Sequence, residues 1–145
     1  METVYVNLND FFSSQLENLD CDENTRAYIV SVLAKYKTAS VDYSKDSLTT
    51  IYAAAKFRQD FLIYQQLGDW LFYIHSIFPE HLNSASKDYY ILIGRSSYNS
   101  CYKLLNRKWK VYEQLSDEFE YLSEETRTLI RECQIDTGIS LTSLY

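Results

Sequence analysis

The sequence predicts an all-α fold, a single-domain bundle of about five to six helices around a central buried helix at residues 47–78. Three observations lead there. Only three glycines and one proline occur in 145 residues, too few to punctuate a strand-rich fold. Apolar residues recur at steps of three and four, the period of a helix face. The stretches between these runs are short and polar, with serine, aspartate or asparagine where helices begin.

The elements follow in order. Leu8, Phe11, Phe12 and Leu16 place a short helix around residues 7–19, closed by the acidic turn Asp20 to Glu23. After a cap at Asp22 or Asn24, Ile29, Val32, Leu33 and Tyr36 share one face of a second helix. The polar run Thr38 to Lys45 connects it to the next element, which Asp46 or Ser47 caps.

Residues 47–78 read as one long helix or two in close succession. Ala54, Phe57, Phe61, Tyr64, Gly68, Leu71, His75 and Phe78 form its main seam, and Ile63, Leu67, Trp70, Ile74 and Ile77 a second stripe. A helix that is apolar on more than one face is enclosed by neighbours, which makes this the central element. Pro79 ends it, because the residue before a proline is driven out of helical geometry.

A further helix starts near Ser84 or Ser86 and carries Ile91, Gly94, Tyr98, Cys101, Tyr102 and Leu105 on one side. Gly94, Ser97 and Cys101 are small enough for another helix to approach closely. Tyr112, Leu115, Phe119 and Leu122 continue the phase, so one helix through residue 122 fits as well as two with a break near Asn106; the break is preferred. Ser123 is read as the cap of a last short helix bearing Leu129, Ile130 and Cys133. Gly138 opens a tail, and residues 136–145 are expected to fray. With no repeat, low-complexity tract or linker, residues 1–145 form one domain, long enough to bury roughly two thirds of its unfolded surface.

Composition limits the partners. A net charge of −6 opposes non-specific attraction to nucleic acid or anionic lipid. One basic cluster, Lys103, Arg107, Lys108 and Lys110, interleaves with Tyr102, Trp109 and Tyr112, a combination that can bind single-stranded nucleic acid. An ordinary amphipathic helix shows the same pattern, so no nucleic acid is expected. Cys21, Cys101 and Cys133 are odd in number and lack a C-x-x-C pair, which reads as reduced thiols in a reducing compartment. No secretory signal is seen at Met1 to Asp10, and the longest apolar stretch, Trp70 to Phe78, falls short of the roughly 20 residues that span a bilayer. The expected location is the cytoplasm, including the surface of a membrane-anchored complex.

No catalytic residue, metal ligand set or cofactor is expected. The two histidines, His75 and His81, lack helical metal-ligand spacing, and His75 reads as a hydrogen-bonded core residue. No nucleophile elbow or glycine-rich phosphate loop occurs. Asp69 follows Gly68 on the enclosed helix, and a buried carboxylate must be paired. Arg95 or a tyrosine hydroxyl from Tyr89, Tyr90 or Tyr98 is its expected partner, and Asp69, Arg95 and Tyr98 are the residues assigned to a polar clamp. The fourteen tyrosines fit this, since each buried ring needs a partner for its hydroxyl.

At Gly68, Asp69, Leu71 and Phe72, at Phe78, Pro79, Glu80 and Leu82, and at Asp88, Tyr89, Tyr90, Gly94 and Tyr98, the chain resembles a family of uncharacterised bacterial helical proteins. The family pattern runs G-D-x-L-F, F-P-E-x-L, D-Y-Y-x-x-x-G-x-x-x-Y, and the match lies mainly within residues 65–122. The resemblance implies a small stand-alone bacterial protein and brings no activity with it.

The expected function is a non-enzymatic interaction module, an accessory subunit or adaptor that docks on another protein or on itself. A bacterial multiprotein assembly, such as a secretion or envelope-associated machine, is the candidate host. The connection from Pro79 to Tyr90 is longer than a bare helical turn needs, and Glu80, His81, Asp88, Tyr89 and Tyr90 are the candidate recognition residues. One alternative is a pocket for a small apolar or aromatic ligand beside Asp69 and Tyr98. The other is a nucleic-acid-binding regulator acting through Lys103 to Lys110.

Overall fold

The computed structural model describes residues 7–38, 45–81 and 86–137, with side chains omitted at 45, 46, 81 and 133–137. The described residues form seven α-helices and no strand: α1 (Leu8–Gln15), α2 (Glu23–Thr38), α3 (Lys45–Arg58), α4 (Phe61–Ile77), α5 (Lys87–Leu104), α6 (Lys110–Asp117) and α7 (Phe119–Thr137). A 3-10 turn, Pro79–His81, follows α4.

Local chemistry sets the boundaries. The Asn7 side chain accepts from Asn9 N at 3.0 Å and Asp10 N at 3.3 Å, satisfying amides that the first turn of α1 leaves unpaired. Of the two readings of residues 47–78, the structure has two helices in close succession. Gln59 adopts a left-handed φ of 51°, which ends α3, and the Asp60 carboxylate restarts the chain by accepting from Leu62 N at 3.1 Å and Ile63 N at 3.3 Å. Only α4 is enclosed: every residue from Leu67 to Ser76 is buried, whereas Phe57 on α3 is 90% exposed and off the expected seam.

The break near Asn106 is present, with Asn106 and Arg107 both at φ 58° between α5 and α6. A second break at Glu118 went unread because the apolar phase passes straight through it: Tyr112, Leu115, Phe119 and Leu122 are all buried. Ser123 is not a cap. It lies inside α7, fully buried, and its hydroxyl donates to Glu120 O at 3.0 Å. Ser86 does precede α5, though its side chain makes no capping bond, while α3 starts at Lys45, ahead of both expected caps. The expected frayed tail is helical at residues 136–137, and the rest lies outside the described residues.

Helix α4 is the axis of the core, packed against α2, α3, α5 and α7. Close approach occurs where the small residues allow it. A Cβ placed on Gly94 of α5 would meet the Phe119 ring of α7 at 2.6 Å, and that ring stands edge-on to Phe72 of α4, 5.5 Å between centroids. Among the described residues, no helix is long and apolar enough to cross a membrane.

Candidate functional site

Gly68 builds the polar centre of the bundle. Without a Cβ there, the Tyr98 ring crosses α4 against its backbone, with ring carbons 2.9 Å from where a Cβ would stand. The Tyr98 hydroxyl then reaches the next residue, donating to Asp69 Oδ1 at 2.8 Å. Tyr28 of α2 donates to the same oxygen at 2.7 Å. Tyr112 of α6 completes the group, edge-on to Tyr28 at 5.4 Å and tilted against Tyr98 at 6.1 Å, while its hydroxyl accepts from Gln65 Nε2 at 2.8 Å. Three helices, α2, α4 and α5, are thereby tied at one carboxylate, and α6 packs against them through the Tyr112 ring.

Asp69 is 5% exposed. Burial pushes its carboxyl up to about 6, against the two tyrosine bonds and the more distant Lys35 ammonium, which favour the charged form. Burial first, and then the Asp69 charge, hold the Tyr28 and Tyr98 hydroxyls well above their ordinary range. Burial likewise raises the Cys101 thiol, whose sulfur lies 4.0 Å from Phe61 O. These neighbours are protonated donors and not nucleophiles, so the arrangement can hold a proton and fix helices.

Arg95 does not join Asp69. Its Nε donates to Ser116 O at 2.9 Å and Ser116 Oγ donates to Arg95 O at 3.0 Å, which ties α5 to α6 instead. Tyr28 fills the place expected for Arg95. Its distance of 41 positions from Asp69 leaves no local spacing from which it could be read.

His75 is 1% exposed, and burial, followed by Arg127 and Lys87, pushes its imidazole down to about 4. Its Nδ1 lies 3.5 Å from Ser123 Oγ, its Nε2 has no hydrogen-bond partner, and its backbone oxygen accepts from Arg127 Nη2 at 2.8 Å. Among the described residues, no group of three or more His, Cys, Asp or Glu side chains is placed to hold a metal ion.

The outer faces of Tyr28 and Tyr112 open onto a cleft of about 740 Å³ between the start of α2 and the segment from Lys108 to Tyr112. Ala27, Val111 and Trp109 supply further apolar wall, and Trp109 is 60% exposed. Neither Asp69 nor Tyr98, beside which a pocket was expected, lines this cleft: Tyr98 is fully buried, and Tyr28 and Tyr112 stand between. Lys103, Arg107, Lys108 and Lys110 are all exposed, and Lys110 Nζ donates to the Tyr102 hydroxyl at 3.1 Å.

The Pro79 to Tyr90 candidates divide. Glu80 and Asp88 are exposed, Tyr89 is half-buried and bonded to the Thr49 hydroxyl, and Tyr90 is a core residue at 7% exposure. The His81 side chain and residues 82–85 lie outside the described residues. No protein-family model matches the chain, and no curated protein or solved structure is significantly similar to it.

Proposed function

We propose that this all-helical chain is a non-enzymatic protein–protein interaction module, an accessory subunit or adaptor whose docking surface is the end of the bundle around the α3–α4 turn. The observation that carries this is that three of the five large exposed apolar side chains among the described residues, Phe57, Leu62 and Trp109, are gathered there, while Leu92 and Tyr121 are exposed on α5 and α7. Phe57 and Leu62 flank the turn at 90% and 62% exposed. Phe61, between them, packs edge-on against Tyr112 at 5.9 Å, which sets the turn beside the start of α6 and Trp109. Isolated exposed apolar side chains are ordinary, but several gathered at one end mark an interface.

The host we propose is a bacterial multiprotein assembly, with the chain on its cytoplasmic side; the resemblance at residues 65–122 supports the bacterial source alone. Glu80 and Asp88, beyond the other end of α4, support a second surface. Affinity purification from the source cells, with wild type beside Phe57→Ser/Leu62→Ser, tests the proposal. Loss of a captured partner from a variant that keeps its helical spectrum is the expected outcome. Recovery of the same partner by both proteins, or of none, counts against it.

A further inference from the structure

The cleft continues beyond the end of the bundle. A second depression adjoins it at Asp22 and Lys110, and a third adjoins that one at Asp117 and Glu118. One groove therefore runs from Trp109 along α6 to the first turns of α7. Its character changes on the way. The first part sets the aromatic wall of Trp109, Tyr28 and Tyr112 among charged residues, Glu23, Lys108 and Lys110, and the rest is lined by Asp22, Glu113, Asp117, Glu118, Glu120 and Glu124. Of its three cations, Lys108 is exposed at the aromatic end, while Arg95 is engaged with Ser116 O and Lys110 with the Tyr102 hydroxyl and with Glu113 at 3.8 Å, so carboxylates outnumber cations along the groove.

We infer that this groove binds a basic segment of a partner protein, with one apolar side chain seated between Trp109, Tyr28 and Tyr112 and lysine or arginine residues laid along the carboxylates of α6 and α7. The inference rests on the interaction-module reading and names the chemistry of its partner. Charge selects the occupant, because a row of carboxylates attracts cations and repels nucleic-acid phosphates. Length selects a polymer over a small ligand, because the three depressions extend over two helices while the aromatic part occupies only the first.

The test titrates a lysine-rich peptide with one central leucine and no tryptophan into the whole chain. Trp109 fluorescence and backbone amide NMR shifts report binding, and Trp70, 3% exposed, contributes a constant background. Saturable binding is expected, with shifts at the start of α2, along α6 and at the start of α7. Affinity falls roughly tenfold or more in 1 M salt, where the Debye length shrinks to about 3 Å. Trp109→Ala and the triple variant Asp117→Asn/Glu120→Gln/Glu124→Gln, all at exposed positions, each weaken it. Glutamate-for-lysine or serine-for-leucine peptides do not bind.

Equal binding to all variants, shifts confined to other faces, or no binding overturns the inference. So does self-association of the chain through the groove, seen by sedimentation and lost in Trp109→Ala. If the groove variants are silent while Phe57→Ser/Leu62→Ser still loses a natural partner, the inference fails alone. If that pair is silent as well, the interaction-module reading fails with it.

Discussion

Two buried titrating groups act in opposite directions on stability, and separating them is the sharpest test of the core. Asp69 has its carboxyl at about 6 in the folded protein against an ordinary 3.8. Its contribution to stability is fully present below about pH 3.8 and is lost as pH rises through about 6. At about 1.4 kcal/mol per pH unit, that loss is about 3 kcal/mol. His75, held at about 4 against an ordinary 6.5, does the reverse. Its contribution is present above about pH 6.5 and is lost as pH falls through about 4, again by about 3 kcal/mol.

Between about pH 4 and 7 the two slopes nearly cancel in the wild type, and single variants unmask them. Asp69→Asn keeps an acceptor for Tyr28 and Tyr98 but cannot ionise, so the His75 slope stands alone and the variant gains on wild type by about 2 to 3 kcal/mol from pH 4 to 7. His75→Phe keeps a ring against Phe119 and leaves the Asp69 slope, so it loses by a similar amount over the same range. Urea denaturation at several pH values reads both, and the pH dependence of the difference is the observable, whatever each variant does to absolute stability. An Asp69→Asn profile parallel to wild type would show that Asp69 titrates near its ordinary value, and the desolvation argument would fall.

Further outcomes are expected from the same geometry. Asp69→Ala leaves the Tyr28 and Tyr98 hydroxyls without their acceptor and destabilises by about 1 to 3 kcal/mol, checked by the denaturation midpoint near pH 4, where the wild-type carboxyl is still protonated. Gly94→Ala, which in an open helix would stabilise by about 1 kcal/mol, instead destabilises because the new methyl meets the buried Phe119 ring. A raised melting temperature in that variant would contradict the close packing of α5 on α7. Replacing Glu80 and His81 together leaves thermal stability nearly unchanged, and loss of partner binding in that double variant would move the recognition surface to the Pro79 end of α4.

The helical class, the enclosure of α4 and the closeness permitted by Gly94 were legible because each rests on a periodic or local signal. Breaks that keep the apolar phase were not. The turn at Glu118 interrupts the backbone without shifting which residues face the core, and Gln59 carries no side-chain signature of its left-handed φ. The polar centre was half legible. Gly68 and Asp69 announce a buried carboxylate under a close neighbour, and Tyr98 is one helix away. Tyr28 comes from a helix whose packing partner depends on the whole topology, and the cleft outside it exists only because α2 and the start of α6 meet there. Tyr90 shows the limit from the other side, since an aromatic at a helix start looks the same in sequence whether it faces a partner or the core.

The claim that the chain docks a protein through the end of the bundle near Trp109 is tested most directly by photo-crosslinking in the source cells. A photoreactive side chain is placed at position 62, at 109 or at 80, all of them exposed. Positions 62 and 109 should capture the same polypeptide, identified by mass spectrometry, and position 80, beyond the other end of α4, should not. Capture from position 80 alone, or none from 62 and 109 above an unlabelled control, would contradict the claim.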